Sequence, residues 1–172
     1  MNFNQLRDLV VECTLRYLDP EIPYSEEAVD LLMMTACHES LCGEYIKQVN
    51  GPAQGIYQME PATEIDINDN YLDFREELRG KVEDFLVEYD SDPSKPHLSS
   101  EMTWNLAYAT AMARVHYFRV PRPLPVQEGQ SRRAYLEALS LYAKQHYNTE
   151  LGKATPEEYL NDYLKYSGEQ LD

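Results

Sequence analysis

Apolar side chains recur every three or four residues through most of the chain, which is the spacing of an amphipathic helix. In residues 3–18 this spacing places five side chains on one face. They are Phe3, Leu6, Val10, Cys13 and Tyr17. The same spacing predicts further helices, which cover residues 26–41, 70–88, 101–118, 130–147 and 156–165.

Start signals support several of these boundaries. Ser25 precedes two acidic residues and is a good N-cap for the second helix. Pro61 suits the first turn of a further helix. Residues 155–158 read Thr-Pro-Glu-Glu, a capping box with proline in the first helical position.

Other segments lack helical spacing. Residues 43–60 are rich in glycine, which indicates a loop or a short strand, and residues 90–97 have the composition of a loop. Residues 119–126 contain three prolines and predict an extended linker. Because strand signals are weak elsewhere, we expect an all-α fold, with at most one small β-hairpin near residues 43–60.

A chain of 172 residues suits a single domain. We expect that domain to span residues 1–172, with a catalytic core over about 25–165 and the helix of residues 3–18 packed on it.

Charge excludes some classes of partner. Thirty acidic residues against fifteen basic ones give a net charge of −15, so a nucleic-acid partner is not expected, because phosphate binding needs clustered Lys and Arg. No apolar run reaches the ~18 residues of a membrane span, so no membrane insertion is expected. The N-terminal residues lack the apolar core of a signal peptide.

Metal chemistry is not expected either. The three cysteines form no C-x-x-C pair, and His97, His116 and His146 lack the spacing of metal ligands. We therefore expect no metal and no other cofactor.

Glu39 is the strongest candidate for chemistry. It lies near the end of a predicted helix and is followed by the glycine-rich turn. Glycoside cleavage needs a carboxylic acid that remains protonated near neutral pH. Burial of Glu39 against Leu41, Ile56 and Met59 would raise its pKa, and the negative polarity of a helix C-terminus acts in the same direction.

The surrounding residues resemble the soluble lytic transglycosylase family, which is related to goose-type lysozyme. In that family Glu-Ser at a helix end is followed by Gly-Leu-Met-Gln-x-x-Pro-x-Thr. Here Glu39-Ser40 is followed by residues 55–63, Gly-Ile-Tyr-Gln-Met-Glu-Pro-Ala-Thr. Ile56 and Tyr57 replace the usual Leu and Met.

Fainter similarity extends over residues 28–160. Residues 104–109 resemble the family's Asn-initiated helix. His146-Tyr147-Asn148 resembles its Ala-Tyr-Asn-x-Gly segment, with His in place of Ala and a displaced glycine. The resemblance implies a lysozyme-like fold, with Glu39 as the catalytic residue. It also implies substrate-binding side chains, which are Ser40, Tyr57, Gln58, Tyr147 and Asn148.

The implied substrate is peptidoglycan, cut between N-acetylmuramic acid and N-acetylglucosamine. Glu39 would first act as an acid and then as a base, closing a 1,6-anhydro ring. One alternative is hydrolysis as in a muramidase, with a second acid among Glu60, Glu64 and Asp66. Otherwise the acidic run over residues 60–73 is read as a solvated face. Another alternative is a structural or interaction protein that keeps the fold with little activity.

A bare catalytic domain without a signal peptide resembles short transglycosylase-like proteins of tailed bacteriophages. That resemblance implies synthesis in the host cytoplasm and carriage in the virion, in the tail or an internal core. The enzyme would then open the cell wall during genome delivery. Other virion proteins are the implied partners, contacting residues 60–77 and 119–126. An endolysin acting at lysis is the alternative.

Overall fold

The computed structural model describes residues 1–87, 97–148 and 153–171, and gives only the backbone for residues 97–100. Regular secondary structure in these ranges is helical, without a strand. The helices are α1 (Phe3–Leu6), α2 (Glu12–Leu18), α3 (Glu26–Ser40), α4 (Pro61–Asn70), α5 (Glu76–Glu83), α6 (His97–Trp104), α7 (Leu106–Phe118), α8 (Arg132–His146) and α9 (Pro156–Ser167). The all-α prediction is confirmed for the described residues.

Helix α3 lies at the centre of the molecule. Residues 28–37 are all buried, so the helix is covered on every face rather than along one stripe. It packs against α7, α8 and α9. Its C-terminal end, which carries Glu39, is therefore held by helices from distant parts of the sequence.

Residues 3–18 form one continuous helical rod. A π-helical segment, Arg7–Val11, joins α1 to α2 without a break in helical backbone, which agrees with the predicted helix over 3–18. The rod contacts α3, α5, α7 and α9, so it is packed on the body of the protein.

The helix starts predicted from Ser25, Pro61 and Thr155 are confirmed, whereas the helix predicted from about residue 101 starts at His97. The side chain of Ser25 accepts a hydrogen bond from the backbone N–H of Ala28 at the start of α3. Pro61 occupies the first turn of α4. Thr155 and Glu158 form the reciprocal capping box of α9. Capping patterns are local, which explains why the sequence alone locates them well.

Two predicted helices are wrong in extent. The helix over 70–88 is interrupted, because Tyr71 and Arg75 leave helical geometry on either side of a 3-10 turn, Leu72–Phe74, and α5 then ends at Glu83. The helix over 101–118 is two helices separated at Asn105. The Asn105 side chain accepts from the N–H of Tyr108 and so starts α7 anew.

Residues 41–60 form a compact loop rather than a β-hairpin. Two isolated antiparallel bridges, Lys47 with Gln54 and Gln54 with Met59, take the place of paired strands. Left-handed residues interrupt any extended run. They are Leu41, Cys42, Gly43, Asn50, Gly55 and Gln58.

Residues 119–126 are non-helical, as predicted. The predicted loop over 90–97 lies almost wholly outside the described residues. Within the described ranges, no helix is long and apolar enough to cross a membrane.

Candidate functional site

Glu39 lies in the last turn of α3, where the chain reverses direction. Leu41 adopts a left-handed conformation, and the N–H of Cys42 reaches back 3.0 Å to the carbonyl oxygen of Ala36. The N–H of Leu41 donates to the same oxygen, so two successive N–H groups share the carbonyl of Ala36 and close the helix in a wide left-handed turn. The helix therefore ends directly after Glu39, at the edge of an open cleft.

That cleft has a volume of about 440 Å³. Four of the six residues predicted for the site line it, although they come from three separate segments. They are Glu39, Gln58, Tyr147 and Asn148. Further lining residues are Gln48, Ala53, Met59, Glu60, Thr63 and His116. The fold thus brings Glu39 and Gln58 to one site with residues 147–148, which lie far from them in the sequence.

Glu39 is half-buried, and burial raises the pKa of its carboxyl group. Three neighbours oppose this effect: the hydroxyl of Tyr159, which donates a hydrogen bond to Oε1 at 2.8 Å, and the charges of His38 and Lys144. Burial outweighs them, so the net pKa shift is upward, in the direction that the sequence predicts for an acid catalyst.

Tyr159 is the contact that sequence reasoning missed. Its side chain is 0% exposed on α9, and its ring lies 3.9 Å from the ring of His38. His38 Nδ1 is in turn 2.8 Å from Oδ2 of Asp162. In the sequence Tyr159 belongs to the apolar stripe of α9, and nothing local distinguishes it from a core residue.

The turn between the bridged residues Gln54 and Met59 depends on Gly55. A Cβ atom there would lie 2.2 Å from the carbonyl oxygen of Met102, and the φ of +73° is also unfavourable for other residues. Gln58 follows with a φ of +47°, and its Nε2 donates to the carbonyl oxygen of Gly55 at 2.7 Å. Gln58 therefore lines the cleft while its amide holds the turn.

Ser40 and Tyr57 do not reach the cleft, in contrast to the expectation that they contact substrate. The Ser40 hydroxyl is fully buried, donates to the carbonyl oxygen of Ala36 and accepts from the N–H of Gly43. The Tyr57 ring is also fully buried, with its hydroxyl 3.2 Å from Oγ1 of Thr110. Both side chains support the walls of the site from behind.

Tyr147 and Asn148 form the opposite wall. The Tyr147 hydroxyl donates to the backbone carbonyl oxygen of Tyr57 at 2.8 Å, which ties the two walls together. His116 Nε2 lies 3.0 Å from the carbonyl oxygen of His146. Burial lowers the pKa of His116 to about 4, so its imidazole is neutral at ordinary pH and donates this bond without adding a charge.

Comparisons with protein-family models, curated proteins and solved structures found no match for this chain. Function is therefore inferred from the residues of the cleft and the motif that they carry.

The acidic residues considered as a second acid differ in position. Glu60 lines the cleft and is exposed, and Asp66 pairs with Arg119 at 2.6 Å. Glu64 is not on a solvated face: it is 3% exposed and accepts a hydrogen bond from Tyr108, and burial raises its pKa to about 7. Its side chain packs into the core and is not among the cleft residues.

Within the described residues, no group of three His, Cys, Asp or Glu side chains could hold a metal ion. The cleft instead offers one half-buried carboxyl group with a raised pKa, beside a tyrosine hydroxyl that stabilises its charged form. Such a group can donate a proton to a bound substrate and then take one back.

Proposed function

We propose that this protein is a peptidoglycan-cleaving lytic transglycosylase in which Glu39 is the single catalytic acid and base, within a lysozyme-like fold. The observation that supports it most is the position of Glu39. Its carboxyl group is half-buried with a raised pKa, and it shares an open cleft with Gln58, Tyr147 and Asn148. The Gly-x-x-Gln-x-x-Pro-x-Thr segment adds Met59, Glu60 and Thr63 to the lining of the same cleft.

The reaction needs one carboxyl group. Protonated Glu39 donates to the glycosidic oxygen, the bond from that oxygen to C1 of the muramic residue breaks, and the 2-acetamido group stabilises the positive centre. The Glu39 carboxylate then takes the proton of the C6 hydroxyl while O6 bonds to C1. This closes the 1,6-anhydro ring and restores the acid. Tyr159 stabilises the carboxylate between the two steps.

Glu39→Gln tests the proposal, because Gln has nearly the same shape but no carboxylic proton. We expect cleavage of purified cell wall to fall at least about a hundredfold, with an unchanged helical circular-dichroism signal. A zymogram on purified peptidoglycan measures the activity. Glu60→Gln, which changes an exposed acid in the same cleft, is the matched control and should retain activity. Appreciable activity in Glu39→Gln would contradict the assignment.

Hydrolysis is the second candidate, because Glu60 lines the same cleft and could activate a water molecule. The products distinguish the two reactions. A transglycosylase leaves 1,6-anhydromuramic ends, whereas a hydrolase leaves reducing ends that are heavier by one water. Mass spectrometry of the digest decides between them, and a digest dominated by reducing ends that disappear in Glu60→Gln would favour the muramidase.

For the biological setting we propose carriage in a bacteriophage particle and action at entry. A net charge of −15 opposes free adsorption to an anionic polymer, and attachment to tail or internal virion proteins supplies local concentration instead. Mass spectrometry of purified particles tests this. Particles that lack the protein, together with infected cells that fail to lyse without it, would favour an endolysin. A purified protein with no cleavage activity would favour the structural role.

A further inference from the structure

A second cavity, of about 510 Å³, lies apart from the cleft and shares no lining residue with it. Its walls come from residues 23–25, from the C-terminal half of α7 and from residues 120–124, with Tyr142 of α8 completing them. This volume falls in the range of small-molecule sites, which is about 300–1,000 Å³.

Arg114 of α7 lines this cavity and is only 6% exposed. Its Nη2 donates to the carbonyl oxygen of Pro23 at 3.3 Å, but its Nε has no hydrogen-bond partner among the described residues. No carboxylate in the described part of the chain forms an ion pair with it. Its Cζ lies 5.6 Å from the centroid of the Phe118 ring, and burial lowers its pKa to about 10.

Arg122 lies on the same cavity. Its Nη1 contacts the amide oxygen of Gln145 at 3.3 Å, and in the described ranges it too forms no ion pair with an acid. The chain has twice as many acidic as basic residues. Two guanidinium groups facing one cavity without an acidic partner are therefore poorly explained by the fold alone, and they favour an anion from outside the chain.

The remaining walls are apolar and aromatic, with Tyr24, Phe118, Leu124 and three prolines among them. A small, strongly hydrated anion would leave this surface unused, whereas an anionic group on an apolar body would bury it. Guanidinium forks match carboxylates in particular, because two parallel N–H groups meet two oxygens. We propose that this cavity binds a carboxylate carried on an aromatic or aliphatic body, with Arg114 as its principal partner.

The experiment uses benzoate as the probe, with benzamide as its neutral counterpart and inorganic phosphate as a compact anion. The wild-type protein is titrated with each by isothermal titration calorimetry and by thermal unfolding. We expect benzoate to bind and to raise the unfolding temperature, because a ligand bound only by the folded state stabilises it. Benzamide and phosphate should bind far more weakly.

Arg114→Met removes the charge and keeps much of the length. We expect it to weaken benzoate binding by about 10- to 100-fold, the usual effect of losing a hydrogen bond to a charged group. Arg114→Lys, which keeps a cation, should lose less. Arg75→Met is the matched control, since this arginine is exposed, lies outside the cavity lining and has its guanidinium group on Tyr71. Glu39→Gln should bind benzoate like the wild type, which separates this site from the proposed catalytic function.

Three results would overturn the proposal. The first is no benzoate binding to the wild-type protein. The second is equal binding by the wild type and Arg114→Met or, if that variant does not fold, by Arg122→Met, which changes the second cation. The third is equal binding of phosphate and benzoate. The cavity would then be a general anion site, and its apolar walls would not contribute to ligand binding.

Discussion

Tyr159 acts on Glu39 through one hydrogen bond, of 2.8 Å, from its hydroxyl to Oε1. The bond favours the charged carboxylate, so its loss in Tyr159→Phe should raise the pKa of Glu39 further. The acid then stays protonated to higher pH. We expect the descending limb of the pH–rate profile to move upward by about one to two pH units, because a hydrogen bond to a charged group contributes about 1.5–3 kcal/mol.

Tyr166→Phe is the control for this prediction, since Tyr166 lies on the same helix, is also packed against the core and has its ring beside Lys165 instead of Glu39. Its profile should match the wild type. If Tyr159→Phe lowers the rate equally at every pH, Tyr159 supports the fold and does not set the proton affinity of Glu39.

Single residues of the site were predictable only where the motif is local. Glu39 and Gln58 carry the order and spacing of the motif, and both line the cleft. Ser40 carries the same motif but is turned inward, because its hydroxyl completes the helix end at Ala36 and Gly43. Tyr159 lies 120 residues from Glu39, and only tertiary packing makes them neighbours.

Arg132 joins α8 to the central helix α3 and to the segment that follows α9. Its Nη1 lies 2.7 Å from Asp30 of α3, and its Nη2 lies 2.9 Å from Glu169, which follows α9. Arg132→Ala would leave Asp30, which is 7% exposed, without a cation. We expect a loss of about 3 kcal/mol in the free energy of unfolding, measured by urea denaturation.

Arg16→Ala provides the control, because this arginine is exposed and its pair with Glu12 lies within one helix. It should leave the free energy of unfolding nearly unchanged. The hydrogen bond from Arg132 also lowers the pKa of Glu169 below its ordinary 4.5. Wild-type protein should therefore lose this stability as pH falls below about 4.5, and Arg132→Ala should lose much less there. If Arg132→Ala is as stable as the control variant, the ion pairs of Arg132 with Asp30 and Glu169 do not stabilise the fold.

Helices were predictable where their periodicity and caps agree, as in α3 and α9, and α8 was predictable from periodicity alone. Their interruptions were not. Asn105 divides the predicted helix over 101–118 because its side chain caps α7 and its amide also donates to the carbonyl oxygen of Phe85. Because Phe85 belongs to another segment, apolar spacing alone cannot predict that the helix ends and restarts at Asn105. The helix predicted over 70–88 is likewise interrupted at Tyr71 and Arg75, which leave helical geometry although the apolar spacing continues past them.

At the scale of the whole molecule, stability should depend on pH through Glu64. Its folded-state pKa of about 7 exceeds the ordinary value of 4.5, so the fold disfavours the charged form and stability falls as pH rises from about 4.5 to 7. Glu64→Gln keeps an acceptor for Tyr108. It should be more stable than wild type by roughly 3 kcal/mol at pH 8, because each pKa unit corresponds to about 1.4 kcal/mol.

Below pH 4.5 the two proteins should be nearly equal in stability, and thermal unfolding across the pH range measures both limits. Glu60→Gln removes an exposed acid of the same helix start and should follow the wild-type curve. A constant difference between Glu64→Gln and the wild type at every pH would show that packing, rather than ionisation, separates them.

The net charge of −15 also predicts how the free protein meets its proposed substrate. Peptidoglycan is anionic, so long-range repulsion should slow encounter at low ionic strength, and salt should relieve it as the Debye length falls to about 10 Å at 0.1 M. We expect the initial rate of cell-wall cleavage to rise several-fold between about 10 and 150 mM NaCl, with Glu39→Gln as the blank. A basic lysozyme should show the opposite trend.

A rate that falls with salt would mean that a local basic surface steers the substrate. Lys144 and Arg122 are the candidates for such a surface, because they line a groove that shares Asn148 with the cleft. Charge reversal at Arg122 would then test that surface, and the argument for attachment to a carrier protein would lose its electrostatic basis.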